Sequence, residues 1–387
     1  MATAFAAEWR TVLKDTGVLI FFLALPIAYP IVYTLVYNPE VLRQMPVAVV
    51  DHSRTAESRD FVRKVASTPA VQIYDYYPDL QEAKRMVDEN KVYGILEIEP
   101  DYAKEIGSGR TGHVTFYCDM ALMLRFRTFA FDLTNVQIAE ISEITAGRLN
   151  MVGAESLLTG MPVQSESYML GDTTQGFASF VMPGIVVLIL QQSLVLGAVM
   201  ILGTERERRR RRGFVGTNQS MTLRYATVWG KALCYTLFYI VPTLFALHFI
   251  PVIFNLPHIG NPVQYLLFAL PFILASSFFG MTIGTFARDR ESAFMIVVVT
   301  SVIFLFLSGL TWPRFAMPEF WLIIGDFVPA TWAVEGFIQI NSTGATLADV
   351  ATNYYWLWGL AAAYSILATL PIRKTRRTKT SVDTTKV

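Results

Sequence analysis

Apolar stretches long enough to cross a bilayer alternate along this chain with short polar segments. A helix rises about 1.5 Å per residue, so about twenty apolar residues span the hydrocarbon core of a membrane. The pattern predicts six transmembrane helices and therefore a polytopic α-helical membrane protein. Their approximate bounds are Gly17–Tyr37, Thr174–Gly203, Tyr225–Phe254, Pro262–Ala287, Ser292–Trp312 and Tyr354–Ile372.

The first apolar run is expected to be a retained helix and not a cleaved signal peptide. It is long for a signal sequence, and no small-residue cleavage site follows it. Pro26 and Pro30 predict a kink, since each removes a backbone donor.

The second apolar run ends abruptly at a charged block, ERERRRRRG, which begins at Glu205. Lys and Arg concentrate on the cytoplasmic side of transmembrane helices, so the chain is expected to cross from outside to inside here. The charged segments after the fourth and last runs then fall on the same side, and six crossings place both termini in the cytoplasm. We expect a multi-pass protein of the bacterial cytoplasmic (inner) membrane. The ERER start and the polar residues after it predict an amphipathic helix along the membrane surface.

Composition supports this interpretation. The chain is 53% hydrophobic and 16% charged, whereas charged residues make up about a quarter of soluble proteins. The net charge of +1 hides a segregation of charge. Residues 38–172 hold 13 Lys and Arg against 20 Asp and Glu, while residues 205–224 hold seven Arg against two Glu. Locally unbalanced loops in a balanced chain indicate a membrane topology and argue against binding of nucleic acid.

The segment after the first span has the pattern of a soluble α/β domain. Apolar strands alternate with amphipathic helices, which predicts a mainly parallel or mixed sheet. The predicted strands are Pro46–Asp51, Val71–Tyr76, Tyr93–Ile98 and His113–Cys118. The chain is therefore divided into an amphipathic interfacial segment 1–16, a first transmembrane helix 17–37, an extracytoplasmic domain 38–172, a five-helix remainder 173–372 and a basic cytoplasmic tail 373–387.

The polar segment between the last two spans contains two apolar pieces, within residues 318–340, that are broken near Asp326–Pro329. Each piece is too short to cross a bilayer. We expect re-entrant half-helices on the outer face, bearing Asp326 and Glu335, because non-helical backbone at membrane depth persists only where protein or water covers it.

Motifs of catalysis and of nucleotide binding are missing from the sequence. No GxxxxGK[ST] occurs, and Gly230–Lys231 lacks the glycine turn. There is no HExxH or GxSxG, and the histidines at 52, 113, 248 and 258 are scattered, so neither an enzyme nor a metal site is expected. Cys118 and Cys234 are expected to be unpaired thiols.

The predicted spans carry few polar groups. Lys231 lies near a cytoplasmic end, from which its side chain is expected to snorkel to the surface. Gln191 and Gln192 either form interhelical hydrogen bonds or line a pore. Secondary transporters use ionisable residues near the midplane. A transporter that lacks them draws its energy from a partner.

Several motifs together make the chain resemble an ABC-2 type permease, the membrane subunit of an ATP-binding cassette exporter. The resemblance covers nearly the whole chain, although the run RRRRRGFV lengthens the usual spacing after ERE. The motifs are FVMPG (180–184), ERE (205–207), Gly216–Thr217, Gly230–Lys231, LSGLTWPRFAMPEFW (307–321), PATWAVEGF (329–337) followed by GATL (344–347), and PVAVVD, Ser58–Arg59 and IEPDYAKEIGSGR in the extracytoplasmic domain.

The resemblance implies a complex of two six-span subunits, identical or related, with two separate ATPase subunits. ATP and magnesium would bind the ATPase, and this chain would hold no cofactor. The coupling loop would be 204–224, with Glu205, Arg206, Glu207, Gly216 and Thr217 as the ATPase-coupling residues. The half-helices would form an outer gate with Asp326, Pro329 and Glu335. The extracytoplasmic domain would be able to meet a periplasmic adaptor.

The sequence leaves several functions open. Export of drug-like or lipid-like molecules competes with ion extrusion and polysaccharide export. A membrane-anchored hydrolase lacks a nucleophile–base set in the extracytoplasmic domain. A non-transporting receptor would need only one span as an anchor, and six spans with polar breaks argue against it.

Overall fold

The computed structural model describes residues 1–37, 43–118, 123–152, 177–212, 220–256, 258–287 and 289–370. The chain divides into two compact units, and each is described by itself. The helical unit comprises Met1–Glu40 and Met169–Val387, and the α/β unit comprises Val41–Tyr168.

Nine helices make up the described part of the helical unit. In two of them, Thr16–Tyr37 and Met221–Ile253, a short π-helical segment interrupts the α-helix, at Ile20–Ala24 and at Phe245–Phe249 respectively. The helices are α1 (Ala2–Lys14), α2 (Thr16–Tyr37), α7 (Phe177–Arg211), α8 (Met221–Ile253), α9 (Pro262–Gly284), α10 (Arg290–Leu307), α11 (Glu319–Asp326), α12 (Pro329–Thr343) and α13 (Ala351–Thr369).

Five of these helices are long and apolar enough to cross a membrane: α2, α7, α8, α9 and α10. The number rises to six only if α11 and α12, which are bent by 90° at their junction, count as one span. Helix α13, where the sequence predicts the last span, is not among the five. Its asparagine, tyrosine and tryptophan residues lower its mean hydropathy. The prediction of six crossings therefore stays a prediction.

Helix α7 continues without a break through the charged block. It has 35 residues and ends at Arg211, so its length is about 52 Å. This exceeds the roughly 30 Å of a bilayer's hydrocarbon core. The prediction of a separate amphipathic surface helix at the ERER block is wrong for this stretch, because the block forms the last turns of α7 itself.

The π-helical segment of α2 ends two residues before Pro26. In a π-helical turn, the Phe21 carbonyl would pair with residue 26, but proline has no N–H to donate. The Tyr239 hydroxyl of α8 donates to this carbonyl at 3.2 Å instead. Near Pro26, where the sequence predicts a kink, the helix thus has a π-helical turn and a tertiary hydrogen bond from Tyr239.

Helix α7 is the centre of the helical unit. It packs against α2, α9, α10 and α12, and nearly all of its side chains between Met182 and Ile201 are buried. Gly197 allows close approach of α2, since a Cβ there would overlap the Phe22 ring. The Phe22 ring also meets the edges of Tyr235 and Tyr239, so aromatic packing joins α2, α7 and α8.

The α/β unit contains a four-stranded mixed sheet. Its order is β2-β1-β3-β4, with β1 parallel to β2 and β3, and β4 antiparallel to β3. The elements are β1 (Met45–Asp51), α3 (Ala56–Ala66), β2 (Val71–Tyr76), α4 (Leu80–Asp88), β3 (Gly94–Ile98), α5 (Tyr102–Gly107), β4 (Val114–Cys118) and α6 (Met123–Val152).

Helices cover both faces of this sheet. Because side chains alternate along a strand, Val47 and Val49 face one core, which includes residues of α3, α5 and α6. Ala48 and Val50 face a second core with Ala83 of α4. Lys64 of α3 also lies 2.6 Å from a carboxylate oxygen of Glu140 and 2.7 Å from one of Glu143, both on α6. These two contacts raise the pKa of Lys64.

Candidate functional site

A buried ion cluster joins α1, α7 and α8 in the helical unit. The Lys231 ammonium lies 2.9 Å from a carboxylate oxygen of Glu8 and 2.5 Å from one of Glu205. The Tyr235 hydroxyl donates to the Glu8 carboxylate. We call Glu8, Glu205, Lys231 and Tyr235 the Lys231 cluster. The side chains of Lys231 and Glu8 are 9% and 3% exposed, so the prediction that Lys231 snorkels to the surface is wrong.

Close packing of α1 on α8 brings Glu8 to this position. Gly230 allows the approach, because a Cβ there would lie 2.8 Å from the Met1 carbonyl oxygen. The Trp9 ring stacks on Phe238 at a centroid distance of 4.1 Å. Sequence reasoning missed Glu8, since nothing local links a glutamate of the first helix to a lysine more than two hundred residues later.

Two further polar contacts fix the same end of the bundle. The Arg206 guanidinium donates to the carbonyl oxygens of Thr285, at 2.6 Å, and Ala287, just beyond the end of α9. The Arg290 guanidinium of α10 forms a two-fold contact with the Asp15 carboxylate, at 2.8 and 3.0 Å. The Arg290 hydrogen bond lowers the pKa of Asp15 below its usual value. Arginine pairs a carboxylate with two parallel bonds, which adds geometric specificity.

The predicted ATPase-coupling residues therefore have different surroundings. Glu205 and Arg206 are bound within the helical unit by the contacts above. Glu207 forms an exposed pair with Arg211 at 2.6 Å, one helical turn away. Gly216 and Thr217 lie outside the described residues. The structure thus assigns internal partners to the first two, while the arginines from 208 to 212 are exposed.

Gln191 and Gln192 lie in the central part of α7. The Gln191 side chain is fully buried, and among the described residues neither amide group finds a hydrogen-bond partner. Ser276 and Ser277 on α9 are also buried without a partner for their hydroxyls. Within the described ranges, the interhelical hydrogen bonds that the sequence offered as one interpretation are not seen for these two amides. Buried amides without partners are costly.

The second polar group is built around Arg314 at the break between α11 and α12. The Arg314 guanidinium contacts the Asp326 carboxylate, lies 3.7 Å from a Glu335 carboxylate oxygen and stands 4.5 Å above the Trp332 ring centroid. The Asn353 amide of α13 donates to Glu335 at 3.2 Å. We call these five residues the Arg314 cluster.

The Arg314 cluster stabilises a sharp bend. Pro329 occupies the first turn of α12, where its missing N–H is not needed, and α11 and α12 meet at 90° there. The Trp332 indole N–H donates to the Asp326 carbonyl oxygen at 3.0 Å. The three residues that the sequence singles out, Asp326, Pro329 and Glu335, are thus brought together, and the structure adds Arg314 and Trp332 as the groups that join them.

A third group contains two histidines that the sequence shows as scattered. His248 Nδ1 lies 2.7 Å from His258 Nε2, and His258 Nδ1 lies 3.0 Å from the Asn341 side-chain oxygen. The Tyr265 hydroxyl donates to the same oxygen at 2.9 Å. We call these four residues the His258 cluster. The fold brings this pair together because the turn between α8 and α9 folds back onto the end of α12, where the Ile259 N–H donates to the Asn341 carbonyl oxygen at 3.2 Å.

Comparison with known proteins gives two findings. Residues 16–370 match the family model described as ABC-2 family transporter protein. A stretch of 95 residues is 30% identical to the linearmycin resistance permease protein LnrN of Bacillus subtilis (strain 168). This stretch covers 24% of the present chain and 24% of that relative, so the second likeness is local.

Proposed function

The chain belongs to the ABC-2 family of transporter proteins, as a multi-pass membrane subunit, and we propose that it is the permease of an exporter driven by a separate ATPase. The exporter moves drug-like or lipid-like molecules outward. Its functional unit contains two permease subunits, identical or related, and two ATPase subunits that bind ATP and magnesium. It lies in the bacterial inner membrane with both termini in the cytoplasm.

The observation that carries the proposal is the continuity of α7. The helix runs from the centre of the bundle through the charged block to Arg211, and Glu205 and Arg206 bind its end to α8 and to the residues after α9. A displacement of the exposed end of α7 would therefore move several helices together. This supports energy input from a protein outside the membrane at this end. We assign the ATPase contact to Glu207 and to the loop with Gly216 and Thr217.

The outer gate is assigned to α11 and α12. The Arg314 cluster ties the start of α12 to α11 and α13, while Asn341 ties its last turn to Tyr265 and His258. Helix α12 is thus bound by polar contacts near both of its ends. Its movement requires these contacts to exchange, which is the behaviour expected of a gate with two discrete arrangements.

Export of a toxic compound agrees with the name of the Bacillus relative, a linearmycin resistance permease. Ion extrusion and polysaccharide export by the same kind of subunit are the alternatives, together with a non-transporting receptor. The α/β unit, which we place outside the cytoplasm, is large enough to meet a periplasmic adaptor. Deleting this unit is expected to abolish adaptor capture and leave ATPase capture intact.

Co-purification tests the coupling assignment. The chain is expressed with the ATPase encoded in a neighbouring reading frame, and residues 213–219 are replaced by a Gly-Ser linker of equal length. We expect loss of ATPase capture from a permease that still elutes as a single species. A deletion that begins at Glu205 would not serve, because it removes one of the two carboxylates that contact Lys231 and also removes the Arg206 contacts.

Replacement of the five exposed arginines, Arg208–Arg212, by glutamine is the matched control. These residues are expected to hold the end of α7 to anionic lipid, so ATPase capture should persist in this variant. Capture that survives the linker and disappears with the arginines would overturn the assignment.

A further inference from the structure

A small cavity lies where four helices of the helical unit end or begin. It has a volume of about 200 Å³ and is lined by residues at the end of α7, at the start of α8, in and just after the end of α9, and at the end of α13. Drug-sized ligands occupy cavities of roughly 300–1,000 Å³. This cavity therefore suits a smaller group.

The cavity carries an excess of positive charge. It is lined by Arg206, Arg209, Arg224 and Lys231, with Glu205 as the acidic lining residue. Lys231 is neutralised by Glu205 and Glu8. Among the described residues, no carboxylate pairs with the three arginines.

The arginines differ in how the protein holds them. Arg206 donates to the Thr285 and Ala287 carbonyl oxygens, and Arg224 donates to the Leu370 carbonyl oxygen at 3.3 Å. Backbone carbonyl oxygens at helix ends thus position both side chains without neutralising their positive charge. Arg209 has no hydrogen-bond or ionic partner within the described part of the chain, and it completes the basic side of the cavity.

Apolar side chains also line the cavity. They are those of Leu202, Val228, Met281 and Ala368, which belong to helices α7, α8, α9 and α13. A basic cavity with apolar lining residues at the end of transmembrane helices matches an amphipathic anion. Basic pockets between transmembrane helices bind anionic lipid headgroups in this manner.

We propose that this cavity binds the phosphate group of an anionic phospholipid such as phosphatidylglycerol. The phosphate oxygens accept from Arg209 and Arg224, and the acyl chains extend along the apolar lining residues into the bilayer. Arginine suits this role because its planar fork pairs phosphate oxygens bidentately. The lipid would link the end of α7 to α8 and α13, the helices that meet there.

Lipid titration of the full-length protein tests the site. The delipidated protein is kept in neutral detergent at 0.3 M NaCl, where weak contacts between exposed charges are screened over less than a nanometre. Its melting temperature is followed against dioleoylphosphatidylglycerol, with dioleoylphosphatidylcholine as the neutral lipid. Arg209→Gln is compared with Arg210→Gln, which removes an adjacent exposed charge that does not line the cavity.

We expect phosphatidylglycerol, and not phosphatidylcholine, to stabilise the wild type. Arg209→Gln should weaken the apparent affinity for phosphatidylglycerol at least tenfold, whereas Arg210→Gln should change it less than threefold. The Arg209→Gln/Arg224→Gln double variant should lose the lipid response while melting near the wild type without lipid.

Two results would overturn the proposal. Equal weakening by Arg209→Gln and Arg210→Gln would assign the lipid response to the exposed arginines in general. Equal stabilisation by inorganic phosphate or glycerol 1-phosphate would show a site for free phosphate and not for lipid. None of these measurements involves the ATPase or a transported substrate, so they stand apart from the proposed transport function.

Discussion

Replacing Lys231 by methionine removes the central charge of the Lys231 cluster and keeps a side chain of similar length. The Glu8 and Glu205 carboxylates, which both contact the ammonium, are then left facing each other. Glu8 is 3% exposed, so water compensates its charge poorly. Breaking a buried ion pair by removing one partner costs about 3–5 kcal/mol.

Neutralising one carboxylate has a smaller expected effect. Glu205→Gln leaves the Lys231–Glu8 pair in place, and the Glu205 side chain is 31% exposed, so solvent already screens its contact. We expect a loss of about 1 kcal/mol. The double variant Lys231→Met/Glu8→Gln replaces the buried ion pair by two neutral groups. It should be more stable than Lys231→Met alone, since the uncompensated buried charge is gone.

These differences in stability are measured by thermal unfolding of the purified protein in detergent, with fluorescence-detected size-exclusion chromatography as the readout. A destabilisation of 1 kcal/mol lowers the melting temperature of a unit of this size by about 2–4 °C. Lys231→Met should therefore lower it by about 6–20 °C, and Glu205→Gln by about 2–4 °C. Equal losses in the two single variants, or a double variant as unstable as the sum of its single changes, would refute the charge argument.

Four other predictions follow, three from the contacts described above and one from the proposed topology. Asp326→Asn should loosen the Arg314 cluster and speed tryptic cleavage after Arg314, the one Lys or Arg between residues 313 and 351. A loss of about 1–2 kcal/mol in the stability of this cluster corresponds to cleavage that is roughly 5–30-fold faster. Glu319→Gln on the same helix should leave the cleavage rate unchanged. Asn341→Ala removes the acceptor of Tyr265 and His258 and should cost about 1–3 kcal/mol in thermal unfolding, whereas Ser342→Ala should cost under 0.5 kcal/mol. Because the pKa of Asp15 is lowered by Arg290, the stabilisation is present above the usual aspartate pKa and is lost as pH falls through the lowered one; Arg290→Gln should therefore lower the melting temperature by a constant amount between pH 5 and 8, and a difference that titrates in this range would contradict the pairing. In a background without Cys118 and Cys234, Ser67→Cys should react with an impermeant maleimide on intact cells and Ser220→Cys only after permeabilisation. Ser58 would be a poor choice because it is buried and pairs with the N-cap residue Thr55 in the capping box of α3.

Some features were accessible from the sequence because their signals are local. The alternation of strands and helices indicated the α/β unit, and the break at Pro329 between two short apolar pieces indicated the bend of α11 and α12. The charged block after the second span was also visible. Its helical continuation was missed: arginine and glutamate are good helix formers, but Gly203 and the abrupt change from apolar to charged residues have the pattern of a helix end.

The contacts that organise the helical unit were not visible, since they join residues that are distant in sequence. Glu8 meets Lys231 only because Gly230 admits α1. His248 and His258 are near in sequence, but their contact depends on the π-helical segment of α8 and on the turn between α8 and α9. Neither of these leaves a periodic pattern in the sequence. Gln191 and Gln192 were noticed as polar residues in an apolar helix, yet their burial without a hydrogen-bond partner in the described part of the chain follows from tertiary packing alone.

Transport in inside-out membrane vesicles tests the central claim most directly. Vesicles carry the chain alone, the co-encoded ATPase alone or both, and the accumulation of fluorescent amphipathic test compounds is followed with and without ATP. The account predicts accumulation only when both chains and ATP are present, and its loss when residues 213–219 are replaced by the linker. Equal accumulation with the chain alone, or ATP hydrolysis by the purified chain without its partner, would contradict it.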